Sequence, residues 1–228
     1  MKGKFVVFEG ADATGKTTQA KLLFDYLGKN KKNAVFFSFP NYKSAWGKMV
    51  RRYLDGEFGD VNQVSPYLAS MLYAGDRLLE SEKIRKWLGL GKLVVCDRYM
   101  ASNIAHQVAK LQTPRLPKSG TGGQANSKLQ FIKWLEELEF EENKIPKPDL
   151  VFLLTIPVKI AQKFMKQRKL DIHEKDVAYQ RRVADAFEDY AKTNKNWAVV
   201  SNTKGGKLKK IDEVHQEILE ILKKKKVV

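Results

Sequence analysis

Residues 10–17 read Gly-Ala-Asp-Ala-Thr-Gly-Lys-Thr and match the pattern G-x-x-x-x-G-K-[ST]. An apolar run at residues 5–8 predicts a buried strand before the motif, and apolar residues at helical spacing over 17–27 predict a helix after it. The glycines allow a turn tight enough for successive N–H groups to converge, and the helix adds its positive end. The motif therefore predicts a loop that cradles polyphosphate.

Within this loop, Lys16 is placed to reach the outer phosphates, and the hydroxyl of Thr17 is suited to a magnesium ion bound to them. The alternative, an ordinary strand-to-helix turn, is disfavoured by the position of the motif between a strand and a helix. The residues of this loop predicted to bind the phosphates of a nucleotide are Gly10, Ala11, Asp12, Ala13, Thr14, Gly15, Lys16, Thr17 and Thr18.

The composition limits the classes of protein to which the chain can belong. With 228 residues, 43% hydrophobic and 30% charged, the chain fits one globular domain and excludes a disordered or fibrous protein. No apolar run approaches the length of a membrane span, and loss of a leader would remove the strand before the loop, so we expect a cytoplasmic protein.

The formal net charge is +16, from 42 Lys and Arg against 26 Asp and Glu. This excess suggests anionic partners, nucleic acid among them. Nucleotides are anions as well, and lysine-rich runs at 29–32 and 223–226 are typical of a solvated surface. The charge alone therefore does not choose between these partners.

β-Branched and apolar runs alternate with helical stretches along the chain. Because strands alternating with helices form parallel sheets, we predict an α/β fold with a five-stranded parallel sheet covered on both faces. Ligands of such sheets bind at the carboxyl ends of the strands. The predicted strands are residues 5–8, 34–39, 93–96, 150–156 and 197–200.

Two further segments stand out. Ser65 and Pro66 suit the start of a long helix that we predict to run to about residue 87. A polar, glycine-rich and basic segment at about 112–128 reads as a long surface loop, which is either disordered or covers a site.

Asp97 and Arg98 follow the third predicted strand. A carboxylate there can hold magnesium directly or through water, and a guanidinium suits a phosphate. The alternative is a structural ion pair at the strand end. Tyr73 and Arg77, four residues apart, share a helix face that suits a nucleotide, although such pairs are common on helices.

Residues 168–174 mix basic and acidic side chains between two helical patterns. We predict a lid at about 166–176 that brings Arg168 onto the transferring phosphates and excludes water. The alternative is a charged helix junction.

In this order along the chain, the motifs resemble the thymidylate kinase family of P-loop nucleoside monophosphate kinases. The resemblance implies transfer of the γ-phosphoryl group of ATP to dTMP, with Mg²⁺ as cofactor and a homodimer joined along the long helix. The loop at 55–60 and the Ser102–Asn103 pair are most similar to actinobacterial members. The segments that carry the resemblance are residues 8–12, 15–18, 39–42, 76–77, 97–103, 146–150 and 168–174.

The resemblance also assigns roles. Asp12 corresponds to the carboxylate that reads the 3′-hydroxyl of the acceptor and can lie near the metal. Tyr73 corresponds to the aromatic residue that stacks on thymine, and Arg77 and Asn103 to residues that hydrogen-bond the base. Arg98 corresponds to the arginine that grips the acceptor phosphate and bridges to the donor. Phe39 and Tyr42 correspond to residues that line the acceptor pocket.

The chain departs from the family pattern at Asn41, at His106 and in the segment 112–128, which is longer than in many relatives. Ala13 stands where some members carry a transition-state arginine, so the lid residue Arg168 is expected to supply that charge. His106 replaces an aromatic residue near the sugar, and Asn41 replaces an arginine. We expect Lys16, Arg98 and Arg168 to be catalytic, and Thr17, Asp97 and Asp12 to contact the metal.

Two alternatives remain open at this point. One is another nucleotide or nucleoside kinase of the same fold with a different acceptor. The other is a basic P-loop ATPase that binds nucleic acid, for which the charge and the lysine-rich end of the chain speak, but the basic segments lack interleaved aromatic residues. The expected partners are ATP and dTMP, with no membrane and no nucleic acid.

Overall fold

The computed structural model describes residues 2–112, 123–165 and 171–228, without the side chains of 123–126. Five parallel strands form one sheet in the order β2-β3-β1-β4-β5. These strands are β1 (Phe5–Glu9), β2 (Ala34–Ser38), β3 (Leu93–Asp97), β4 (Leu150–Thr155) and β5 (Trp197–Ser201). The five-stranded parallel sheet predicted from the sequence is confirmed.

Helices follow the strands. They are α1 (Lys16–Lys29), α2 (Ala45–Leu54), α3 (Pro66–Gly89), α4 (Met100–Leu111), α5 (Gly123–Glu136), α6 (Val158–Met165), α7 (Val177–Lys192) and α8 (Ile211–Lys224). A π-helical turn (Glu137–Glu142) continues α5. A short hairpin of β6 (Thr203–Lys204) and β7 (Lys207–Leu208), which the sequence did not predict, precedes α8.

The central strand β1 is buried on both faces, as expected for a parallel sheet. Phe5 and Val7 pack into one core with α3, α4, α5 and α7. Val6 and Phe8 pack into a second core with α1 and α8. Because successive side chains of a strand point to opposite faces, β1 joins both halves of the core.

The long helix begins as predicted. Ser65 caps α3 by accepting a hydrogen bond from the N–H of Tyr67, and Pro66 takes the first turn. None of the helices in the described ranges is long and apolar enough to cross a membrane.

One boundary expectation was wrong. The surface loop predicted at 112–128 ends earlier, because α5 begins at Gly123. The polar residues 124–128 continue into the apolar helical pattern of residues 129–135, so the helix extends into a segment whose composition indicated a loop. Residues 113–122 lie outside the described part of the chain.

Candidate active site

The phosphate-binding loop joins β1 to α1 through backbone conformations that glycine favours. Gly10 has φ 147° and Gly15 has φ 77°. A Cβ atom on Gly10 would lie 2.4 Å from the carbonyl oxygen of Leu154, so a side chain there is excluded. Ala13, with φ 60°, adopts the left-handed conformation without being glycine.

Lys16 opens α1 and is buried within the loop. Its Nζ donates a hydrogen bond of 3.0 Å to the carbonyl oxygen of Ala11 and lies 4.0 Å from Oδ1 of Asp12. Burial, together with the charge of Arg98, lowers the pKa of Lys16 to about 8. Phosphate oxygens at the loop would restore the protonated ammonium, because an anion nearby raises the pKa of a lysine.

Thr17 lies in the first turn of α1, and Asp97 lies at the end of β3. Their side chains contact each other beside the phosphate-binding loop. The Thr17 hydroxyl donates a hydrogen bond of 2.6 Å to Oδ2 of Asp97. Oδ1 of Asp97 is buried and has no hydrogen-bond partner within the described ranges. A hydroxyl beside a carboxylate with an unused oxygen fits Mg²⁺, which prefers oxygen ligands and keeps several waters and phosphate oxygens.

Because water and phosphate oxygens supply several ligands of Mg²⁺, the site needs few protein side chains. Groups of three or more His, Cys, Asp or Glu residues suited to a metal do not occur in the described part of the chain. A hard cation held by few side chains and by the substrate's phosphates needs no such cage.

Asp12 and Arg98 form an ion pair across the loop. Arg98 follows β3 in the left-handed conformation, with φ 63°, and its Nη1 also donates to the Ser102 hydroxyl at 3.3 Å. The second oxygen of Asp12 accepts a hydrogen bond of 3.2 Å from Gln180. Although burial alone would raise it, Arg98 and Lys16 together hold the pKa of Asp12 well below its usual range.

Next to this pair opens a cleft that holds about 590 Å³ of empty space, part of it open to solvent. The eight residues predicted to bind the acceptor all line it: Asp12, Phe39, Tyr42, Tyr73, Arg77, Arg98, Asn103 and His106. The structure thus brings together residues that are up to 94 positions apart, from 12 to 106.

Tyr73 and Arg77 line the cleft from α3, and Asn103 lines it from α4. Arg77 is only 2% exposed and is paired with the buried Glu139, a residue that the sequence did not signal. The side-chain oxygen of Asn103 is buried and has no hydrogen-bond partner among the residues described. An unpaired buried acceptor that lines a cleft favours a ligand with an N–H group.

Glu9 and Asp76 hold the elements that carry these side chains. Glu9 accepts hydrogen bonds from the N–H groups of Tyr99 and Ser102, at 2.8 and 3.1 Å, at the start of α4. Burial, more than any other effect, raises the pKa of Glu9. Asp76 on α3 accepts from the Asn41 N–H at 2.7 Å and from the Ser44 hydroxyl at 2.5 Å. Both carboxylates therefore position elements of the cleft.

His106 meets a second histidine that the sequence analysis did not assign. Nδ1 of His173, in the segment before α7, lies 3.0 Å from Nδ1 of His106, and its Nε2 lies 2.8 Å from the Tyr53 hydroxyl. The Tyr179 hydroxyl is 3.1 Å from Nδ1 of His106. Asp171 and His173 both line the cleft, so the segment predicted as a lid reaches the acceptor side of the site.

Asn41 and Arg168 were singled out in the sequence, whereas Asn202 was not. Asn41 directs its side-chain amide to Glu80 on α3, at 3.1 Å. Asn202, beyond β5, donates to the carbonyl oxygen of Thr14 and ties the loop to the sheet. Arg168 lies outside the described residues, so its place at the phosphates stays a prediction.

Comparison with known proteins gives one consistent result. The family model described as thymidylate kinase matches residues 8–115. A thymidylate kinase from Plasmodium falciparum is 30% identical over 99% of this chain and 92% of its own length. A probable thymidylate kinase from Methanocaldococcus jannaschii is 34% identical over 96% and 95%.

A solved thymidylate kinase structure from Candida albicans superposes with a TM-score of 0.76 and 25% identity, covering 99% of this chain and 93% of that one. A structure of thymidylate kinase from Ehrlichia chaffeensis, at 24% identity and a TM-score of 0.66, shares the fold. The expected likeness to actinobacterial members finds no support among these relatives, which come from eukaryotes, an archaeon and another bacterial group.

Proposed function

The chain belongs to the thymidylate kinase family, and on that premise we propose that it transfers the γ-phosphoryl group of ATP to dTMP, giving dTDP and ADP. One observation carries the proposal: a single cleft, lined by the eight residues expected to bind dTMP, opens beside the phosphate-binding loop. Because Asp12 belongs to both, the loop faces two substrates.

On the donor side, the N–H groups of the loop and the start of α1 hold the phosphates of ATP. Thr17 and Asp97 are the residues that would hold Mg²⁺, which when bound neutralises charge on the phosphate oxygens. That Asp12 also contacts the metal stays a prediction, since both of its oxygens already have partners in Arg98 and Gln180.

On the acceptor side, the aromatic ring of Tyr73 supplies a stacking surface for thymine, and Oδ1 of Asn103 accepts from its N3–H. Asp12, which stays ionised, accepts from the 3′-hydroxyl of the sugar. Phe39 and Tyr42 enclose the same pocket, and His106 lies on the sugar side.

Transfer requires the acceptor oxygen in line with the γ-phosphorus and positive charge around the moving group. Lys16 provides charge from the loop, and Arg98 lies between the loop and the cleft, where it can contact phosphates of both substrates. Ala13 provides no positive charge, and Arg168 is our candidate for the remaining charge.

The test is a coupled assay of ADP release with dTMP, dUMP, dGMP, UMP and thymidine as acceptors. We expect dTMP, the acceptor of the family to which the chain belongs, to give the highest kcat/KM. A preference for another acceptor would assign the chain to a different nucleotide kinase activity. Lys16→Ala, which removes the loop charge, is the control for release by a contaminating enzyme.

We also propose a homodimer joined through α3. Leu68, Met71, Leu78 and Leu79 are 43–51% exposed on this helix. Residues three, four or seven apart share a helix face, so these side chains form one apolar stripe suited to a second copy. The cytoplasmic location expected from the sequence stays a prediction.

A further inference from the structure

Glu139 is the buried member of an acidic segment. Five glutamates fall between residues 136 and 142, and Glu139 is 0% exposed, whereas the other four are exposed or partly exposed. A carboxylate removed from water in this way is destabilising unless charges and hydrogen bonds compensate it. Its partners therefore indicate why it is there.

The backbone at this position is not an ordinary α-helix. The π-helical turn (Glu137–Glu142) follows α5, and the N–H of Asn143 bonds to the carbonyl of Leu138, five residues back, at 2.9 Å. The wider turn accommodates one extra residue and changes the direction of the side chains around it. Here that direction sends Glu139 inward to α3 and α4.

Its first partner is Arg77. Nε of Arg77 donates a hydrogen bond of 2.6 Å to Oε2 of Glu139, and Nη2 donates to Oε1. Two parallel hydrogen bonds fix the plane of a guanidinium as well as its position. Nη1 remains on the other side of the group, 3.4 Å from the carbonyl oxygen of Tyr99.

Its second partner is Asn103. Nδ2 of Asn103 is 3.1 Å from the carbonyl oxygen of Ser70 and 3.4 Å from Oε1 of Glu139. Both neighbours are acceptors, so the amide must present its NH₂ to them. Oδ1 then points away from Glu139, and it is the oxygen without a partner in the described part of the chain.

We infer that Glu139 is a positioning residue for the acceptor base, which orients Arg77 and Asn103 so that the cleft presents a hydrogen-bond donor beside an acceptor. This inference rests on the proposed function. A pyrimidine with N3–H and a 4-oxo group complements that pair, whereas cytosine, with an unprotonated N3 and a 4-amino group, opposes it. Glu139 thereby sets base selectivity without lining the cleft itself.

The test is Glu139→Gln, which keeps the shape but removes the charge and replaces one accepting oxygen by an NH₂ group that opposes a donor of Arg77 or Asn103. One buried hydrogen-bond mismatch corresponds to about tenfold or more. We expect the KM for dTMP to rise about tenfold, with the KM for ATP unchanged and kcat lowered far less. The ratio of kcat/KM for dTMP to that for dCMP should fall about tenfold, and this ratio does not depend on the folded fraction.

Two matched variants separate this role from general stability. Glu142→Gln changes an exposed carboxylate of the same turn and should leave the ratio unchanged. Glu139→Asp keeps the charge, so it should restore most of the selectivity. Combined with Asn103→Ala, Glu139→Gln should lower the selectivity by less than it does alone, because the part of its effect that passes through the Asn103 amide is already lost.

An unchanged dTMP to dCMP ratio in Glu139→Gln would overturn the inference, even if the melting temperature fell. Calorimetric binding of thymidine and deoxycytidine reads the same selectivity without phosphoryl transfer. A wild-type chain that binds thymidine over deoxycytidine but phosphorylates no nucleotide would contradict the proposed function alone.

Discussion

At the end of β3, the hydroxyl of Thr17 uses one oxygen of Asp97, and the other oxygen has no partner within the residues described. Buried carboxylate oxygens are normally satisfied. The missing partner and the phosphate-binding loop beside it point to the same ligand, a hydrated Mg²⁺ on the phosphates of ATP.

Asp97→Asn should therefore weaken metal binding more than nucleotide binding. The variant loses the charge but keeps the shape, so the fold should be retained. Electron paramagnetic resonance of Mn²⁺ in the presence of ATP measures metal affinity without turnover, and we expect a loss of about tenfold. Equal Mn²⁺ affinity in wild type and variant would remove Asp97 from the metal site.

Arg168→Ala tests the second residue-scale assignment. Arginine charge in phosphoryl transfer is worth on the order of a thousandfold in rate. We expect kcat to fall by about that factor while calorimetry shows dTMP binding close to wild type. Lys166→Ala, a neighbouring cation in the predicted lid, is the control and should have a much smaller effect. Unchanged turnover in Arg168→Ala would exclude it from the reaction.

At the scale of elements, α4 and the segment before α7 meet through two buried histidines. Burial lowers the pKa of His106 from 6.5 to about 3, and lowers that of His173 well below its usual value. Tyr53, Tyr179 and Lys110 face this pair and supply no negative charge at neutral pH, and the charge of Asp12 offsets the effect of burial only in part.

This contact predicts destabilisation by acid. Below pH 6.5 the unfolded chain binds protons that the folded histidines do not, so stability falls as the pH drops from 6.5 towards 3, by about 1.4 kcal/mol per pH unit for each histidine. Asp171 opposes the trend below pH 6, because its pKa is raised to about 6, mainly by burial. Chemical denaturation at several pH values measures the slope.

The matched variant for this measurement is His106→Gln, which removes one titrating group. The slope of unfolding free energy against pH should decrease by about 1.4 kcal/mol per pH unit between pH 6 and 5. If both proteins show the same slope, His106 does not carry the acid sensitivity.

The predicted homodimer depends on the exposed apolar stripe on α3. Replacing Met71 and Leu79, which are 51% and 48% exposed, by glutamate places charges on the proposed interface. Sedimentation should then show a monomer where the wild type is a dimer. Leu208→Glu changes a 48% exposed side chain on β7, outside α3, and should leave the dimer intact. A wild type that sediments as a monomer would contradict the homodimer.

At the scale of the whole molecule, the sheet was predictable because its strands read as continuous apolar runs, and its inner strands β1, β3 and β4 are buried on both faces. The phosphate-binding loop was predictable because its chemistry is local in sequence. The start of α5 was missed because tertiary packing extends a helix into residues that favour loops, as at Gly123.

The parts of the site that the sequence did not reveal are long-range. Glu139 is one glutamate among five in a short segment, and only the π-helical turn and the packing of α3 identify it as the partner of Arg77. His173 likewise could not be identified without its contact with His106, which lies 67 residues away in the sequence. No local pattern encodes contacts of this kind, because they depend on how distant elements pack.

The net charge of +16 is compatible with two functions, a nucleotide kinase and a basic ATPase that binds nucleic acid. One experiment distinguishes them. A kinase moves the γ-phosphoryl group of ATP to an acceptor, whereas a basic ATPase that binds nucleic acid releases it to water. The chain should be incubated with γ-labelled ATP and dTMP, and the labelled product identified by chromatography. Label in dTDP is the predicted result; label appearing only as inorganic phosphate, with or without DNA, would contradict the account.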